Sequence, residues 1–148
     1  MVVKTRLVLE RLHALNEYIR LLEPYREWDI QRLTKDQIVY GGVLHYLQLS
    51  AQVVMDVSAH LQVELGLERV SDYRGAILSL SKAGALPLQF AERVSALAGF
   101  RNILVHEYLI IDPLKVSEAL HGGLDDLRAF VMHITDFLRR EGYLQGDR

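Results

Sequence analysis

The stretch from about residue 35 to residue 65 constrains this chain more than any other. It carries Ile38, Val39, Tyr40, Val43, Leu44, Tyr46, Leu47, Leu49, Val53, Val54, Met55 and Val57 with no proline. Thr34 followed three places on by Gln37 resembles a capping box at its start, and Gly66 is placed to end it. These residues predict one long helix that is apolar on more than one face. Such a helix must be covered on every side. Two arrangements satisfy that demand: a central helix enclosed by the rest of the chain, or a homodimer that buries the surplus face.

Apolar residues recur at helical spacing through most of the remaining chain. Leu7, Leu12, Leu15, Ile19 and Leu22 form the stripe of a first helix over about residues 3–23, closed by Pro24. "YREWDIQRL" reads as a connector. After the long second helix, Ser71 can cap a third helix over about residues 72–83, which Gly84 stops. Pro87 then begins a fourth, over about residues 87–109. Asp112-Pro113 combines an N-cap residue with proline at the first helical position, so a fifth helix is expected over about residues 113–141. No stretch alternates with period two between turn pairs, so no strand is predicted. The expected fold is all-α: one domain over residues 1–148, a bundle of about five helices.

With half its residues apolar and 24% charged, the chain has a globular composition, not that of a disordered one. The formal net charge of -2 does not make the whole molecule an attractor for nucleic acid, so any RNA contact must come from a local patch. There are no cysteines, which excludes disulfides and thiolate metal sites and suits the cytoplasm. The N-terminal "MVVKTRLVLERL" lacks the apolar core of a signal peptide, and no uninterrupted run approaches the length of a membrane span, so no membrane role is expected.

The chemistry concentrates in "GFRNILVHEY", residues 99–108. Asn102 and His106 lie one turn apart on a helix, while Arg101 is offset from His106 by about 140°, so the two flank a surface that arginine's length can close. Arginine offers phosphate a planar fork of donors and stays charged at cellular pH. Histidine gives or takes a proton near neutrality. RNA cleavage by the 2′-hydroxyl needs a base, an acid for the leaving 5′-oxygen and a cation for the phosphorane, and no metal. One histidine does not comfortably do both proton jobs; two copies of this helix would supply two. On spacing alone an Arg-x-x-x-x-His pair is common, and a single histidine near a helix end is more often a capping or structural residue.

The segment resembles the R-x-x-x-x-H-x-Y motif of HEPN-domain proteins, and within them the HepT-like toxins that pair with minimal nucleotidyltransferases. "DVSAHL" (Asp56 to Leu61), "ELGLE" and "SDYRGAILSLSKAGALP" are similar to the flanking helices of that family, in order. Only Ala98 departs from the family run before Gly99, and the likeness covers about residues 35–140. It implies an HEPN-like homodimer whose two motifs face one another across a cleft. It implies Arg101 and His106 as the catalytic pair of a metal-independent endoribonuclease, with Asn102 as a supporting polar residue. It also implies Tyr108 as the tyrosine that a partner nucleotidyltransferase modifies with AMP. RNA and that nucleotidyltransferase are therefore the expected partners, with no cofactor and no metal. A non-catalytic adaptor, or a helical module binding a nucleotide in the same cleft, is the alternative; the intact Arg101, Asn102, His106 and Tyr108 favour the enzyme.

Asp56 and His60 are four apart on one helix face. They form either a rim pair, with Asp56 orienting a motif side chain, or a polar pair satisfying itself in the bundle. His13, His45, His121 and His133 have no metal-ligand spacing and read as structural or exposed. Gly41-Gly42 is expected to allow close helix packing, and Arg139-Arg140 with Arg148 to form a solvated basic tip.

Overall fold

The computed structural model describes residues 4–70, 72–106 and 111–146; of these, the side chains of residues 98, 102–106, 145 and 146 are outside the description. Seven α-helices occur among the described residues, and no strand. In chain order they are α1 (Thr5–Leu22), α2 (Ile30–Lys35), α3 (Gln37–Glu64), α4 (Tyr73–Lys82), α5 (Leu88–His106), α6 (Pro113–His121) and α7 (Gly123–Arg140). Short 3-10 turns follow α1 (Glu23–Tyr25) and α7 (Tyr143–Gly146).

The all-α expectation holds, and the five expected helices are all present. Two more arise by subdivision. The connector contains α2, a short helix capped by Asp29, whose side chain accepts from Arg32 N at 2.8 Å. The expected fifth helix is divided at Gly122, the cap between α6 and α7. Glycine at this point weakens the helix and leaves its two halves free to take separate directions.

Local polar chemistry sets the helix starts, with two corrections to the sequence reading. Asp36, not Thr34, caps α3, accepting from Val39 N at 3.1 Å; the Thr34 hydroxyl donates back to Ile30 O within α2. Asp72 caps α4 through Gly75 N at 2.8 Å, while Ser71 lies outside the described residues. At both sites a carboxylate one or two residues past the predicted residue does the work, and aspartate is at least as good a cap as serine or threonine. Asp112 caps α6 as expected, with Pro113 in its first turn. Gly66 and Gly84 take φ of 66° and 81°, the left-handed conformation that ends α3 and α4.

The core is one continuous apolar cluster. From α1 it takes Val8, Leu12, Leu15, Ile19 and Leu22, and from α7 Leu127, Phe130, Ile134, Phe137 and Leu138. Leu7, assigned to the α1 stripe from sequence, is exposed at 41%, and Val8 holds the place. The reason is angular: Val8 precedes Leu12 by four residues and Leu7 by five, which turns it about 140° away.

α3 runs through the middle, packed by α1, α4 and α5, with α2 and α7 against parts of it. From Ser50 to Gln62 it is mostly buried, and the hydroxyls of Ser50 and Ser58 donate to the carbonyls of Tyr46 and Val54 one turn back, both at 2.7 Å. By length and composition α3 is apolar enough to cross a bilayer, a property the run-length reading missed. Packing in the core accounts for that composition from Ser50 to Gln62. Towards its N-terminus the cover thins: Ile38 is 87% exposed, and Val39, Tyr40, Leu44 and Leu49 are half-buried. The enclosed-helix arrangement thus accounts for the C-terminal half of α3, and unburied apolar surface remains on its first turns. Gly41 and Gly42 do not mediate close packing within the chain, since a Cβ at either would meet nothing within 4 Å.

Candidate functional site on α3 and α5

α5 begins directly after Pro87, and its first turns are core: Phe90, Ala91 and Val94 are buried. Further along, Leu97 and Phe100 are half-buried against the same cluster. Arg101 follows Phe100 and is also half-buried. The helix continues to His106, so its backbone carries Asn102 and His106; their side chains, and all of Tyr108, lie outside the described residues.

The facing helix supplies what holds Arg101. Its Nε donates to Gln52 Oε1 on α3 at 2.9 Å, and Gln52 Nε2 donates to Asp56 Oδ1 at 2.8 Å. The three side chains form a line from a carboxylate, through an amide, to a guanidinium. All three residues are half-buried. With Nε engaged, arginine's two terminal nitrogens retain the fork that binds a phosphate.

The Tyr40 phenol is pushed above its ordinary pKa by burial and then by the nearby negative charge of Asp112. Gln52 on α3 lies opposite Arg101 on α5.

Asp56 does not pair with His60. Its carboxylate takes the Gln52 amide, and His60 Nε2 lies 3.9 Å from Glu64 Oε1, buried and without a hydrogen-bond partner. Gln52 was not singled out from sequence. Its signal was present, a long polar side chain one turn before Asp56 on a largely apolar helix, but nothing local tied it to Arg101.

The remaining candidates fall elsewhere. His121 Nδ1 bonds to Ser117 within α6, His133 lies against Phe90 with the rings tilted by 57°, and His45 packs edge-on against Tyr46. Among the described residues no three His, Cys, Asp or Glu side chains cluster as metal ligands. The basic tip is only partly solvent-directed: Arg139 meets Asp136, while Arg140 donates to Gly84 O at 2.8 Å and ties the end of α7 to the α4–α5 turn. Arg148 lies outside the described residues.

Residues 15–134 match a family model described as Ribonuclease HepT-like. The chain belongs to the HepT-like ribonuclease family. The enzyme class expected from the sequence stands with that membership. A putative RNase of Archaeoglobus fulgidus is 30% identical over 112 residues, covering 76% of this chain and 84% of that protein. The tRNA nuclease HepT of Aphanizomenon flos-aquae is 32% identical over 92 residues, 62% of this chain and 63% of the relative. In structure, the cytosolic protein YutE of Bacillus subtilis superposes with a TM-score of 0.83 at 16% identity, over 97% of this chain and 96% of that one. A tri-AMPylated HEPN toxin of Shewanella oneidensis, solved in complex with an MNT antitoxin, superposes with a TM-score of 0.78 at 18% identity, over 87% and 96%. The two superpositions establish the shared HEPN-like helical fold.

Proposed function

We propose that this chain is the toxin of a toxin–antitoxin pair, a metal-independent endoribonuclease acting in the cytoplasm from one helical domain over residues 1–148. The observation that carries the reading is the held arginine: Arg101 is fixed through Nε by a neutral amide, with its charge uncompensated by that partner. The names of the relatives, an RNase and a tRNA nuclease, support the substrate class. The solved HEPN toxin with its MNT antitoxin supports a nucleotidyltransferase as the partner.

In this reaction His106 removes the proton of a 2′-hydroxyl. The 2′-oxygen attacks the adjacent phosphorus, the bond to the 5′-oxygen breaks, and the leaving oxygen takes a proton from the His106 of a second copy. Arg101 stabilises the charge that builds on the phosphorane oxygens. The products are a 2′,3′-cyclic phosphate and a 5′-hydroxyl. Asn102 supports the site, and Asp56 holds the line that ends at Arg101. The unburied apolar first turns of α3 offer the surface for a homodimer that brings the two motifs together.

Transfer of AMP to Tyr108 would silence the enzyme by placing a phosphate and an adenosine beside Arg101, where they compete with RNA. Co-expression with a minimal nucleotidyltransferase is expected to add an adenylyl mass to the wild type and none to Tyr108→Phe. An adenylyl mass that persists in Tyr108→Phe places the acceptor elsewhere.

The test of the reaction is cleavage of RNA by the purified chain in EDTA, with analysis of the ends. His106→Ala is expected to lower the rate by about 10²–10⁴-fold while helicity and dimerisation remain. Loss of cleavage on chelation replaces this mechanism with a metal-dependent one. Binding of RNA or nucleotide without cleavage supports the adaptor reading instead.

A further inference from the structure

We infer that Gln52 is a positioning residue of this site: its amide fixes the Arg101 guanidinium and holds the Asp56 carboxylate one side chain away, so that the arginine is oriented without being neutralised. The inference rests on the nuclease reading of Arg101 given above.

The geometry is directional. A glutamine amide has a donor end and an acceptor end. Here the donor end meets Asp56 Oδ1 at 2.8 Å and the acceptor end meets Arg101 Nε at 2.9 Å. Turning the amide over would set its NH2 against the Arg101 Nε–H and its oxygen against the Asp56 carboxylate, two repulsive contacts in place of two bonds. Asp56 therefore selects which end of Gln52 faces Arg101. It acts on the guanidinium through Gln52, and the two residues form one unit.

The interposed amide also decides the charge. A carboxylate bonded to Arg101 would cancel the positive charge that a phosphodiester needs to find there. A neutral amide gives the same directional bond and leaves that charge in place. Because the bond is to Nε, one donor of five is used and the terminal pair remains for two phosphate oxygens. Arginine loses rotamer freedom on binding unless it is already held, and the tether to α3 supplies that ordering before RNA arrives.

Three variants separate this role from packing. Gln52→Leu keeps the bulk and removes both bonds. It is expected to lower kcat/KM on RNA by about 10- to 100-fold, the scale of a mispositioned catalytic group, with the unfolding midpoint held or raised. Asp56→Ala is expected to lower kcat/KM in the wild type but to have no further effect in the Gln52→Leu background, because groups acting as one unit do not add. Gln52→Glu places a carboxylate on Arg101. It is expected to weaken RNA binding and to reduce the slope of log affinity against log salt by about one phosphate contact.

A readout independent of cleavage accompanies these. In ¹⁵N-resolved spectra the Arg101 Nε–H is expected to exchange slowly with solvent in the wild type, and fast in both Gln52→Leu and Asp56→Ala. Additive effects of the two single changes, an unchanged salt slope in Gln52→Glu, or an Nε–H insensitive to both variants overturns the inference. A wild-type chain that cleaves no RNA overturns the nuclease reading alone, and the exchange measurement then still decides whether Gln52 holds Arg101.

Discussion

The seam between α1 and α7 and the seam between α3 and α5 are built from the same helical spacing and do opposite things with it. Across the first, Val8, Leu12, Leu15, Ile19 and Leu22 meet Phe130, Ile134, Phe137 and Leu138, all 3% exposed or less. Charge is kept to the rim, where Arg26 pairs with Asp125 and Arg128 with Glu23. On α5 of the second, the buried turns at Phe90 and Val94 give way further along to a half-buried polar line from Asp56 through Gln52 to Arg101. The dry seam stabilises. The polar seam gives up apolar contact to hold a cation at a fixed angle. Burying the Gln52 amide is tolerable there because both its ends are bonded, while the terminal nitrogens of the half-buried Arg101 stay available for phosphate.

The largest effects are expected on the dry seam. Phe130 is fully buried, and Phe130→Ala should cost about 3–5 kcal/mol in urea unfolding, enough to threaten folding at ordinary temperatures. Phe100→Ala on the polar seam should cost about 1 kcal/mol, because that ring is only half-buried. If the two costs are equal, the seams do not differ in the way described here.

The junction past the polar seam comes next. Asp112→Ala removes the cap of α6 and should cost about 1 kcal/mol, read as a shift of the urea midpoint; Asp112→Asn, which can still cap, should lose much less.

The smallest expected effect is at high pH. Burial, and then the charge of Asp112, raise the folded-state pKa of Tyr40 above its unfolded value. The fold binds the phenolic proton more tightly than the unfolded chain does. That contribution is therefore fully present below about pH 10 and is lost as the pH rises through the folded value. Unfolding midpoints measured between neutral and strongly alkaline pH should fall less steeply for Tyr40→Phe than for the wild type. Identical slopes would remove Tyr40 as a reporter of the Asp112 charge.

Much of the dry seam was legible in the sequence, because its information is local. Leu12, Leu15, Ile19 and Leu22 announce a stripe by spacing alone, and Gly66, Gly84 and Asp112-Pro113 mark helix ends through backbone rules that act within a turn. α2 was not legible: six residues from Ile30 to Lys35 are too few to show a period. Nor was the division at Gly122, since apolar residues continue on both sides of it. The polar seam was legible only in part. Arg101, Asn102, His106 and Tyr108 stand out as polar residues clustered in an apolar segment, and the likeness of the segment to HEPN proteins gave them roles. Gln52 is separated from Arg101 by 49 positions, and only the packing of α3 on α5 brings the two together. Asp56 was noticed beside His60, and the wrong neighbour was considered because the right one lay a turn in the other direction.

We propose that the polar seam serves RNA cleavage and not stability. Arg101→Ala tests it most directly when RNA cleavage and urea unfolding are measured on the same preparation. Cleavage is expected to fall by about 10²-fold or more, the loss of a charge-stabilising donor, with an unfolding midpoint unchanged to within about 0.5 kcal/mol. Retained cleavage, or lost cleavage accompanied by general unfolding, would contradict it.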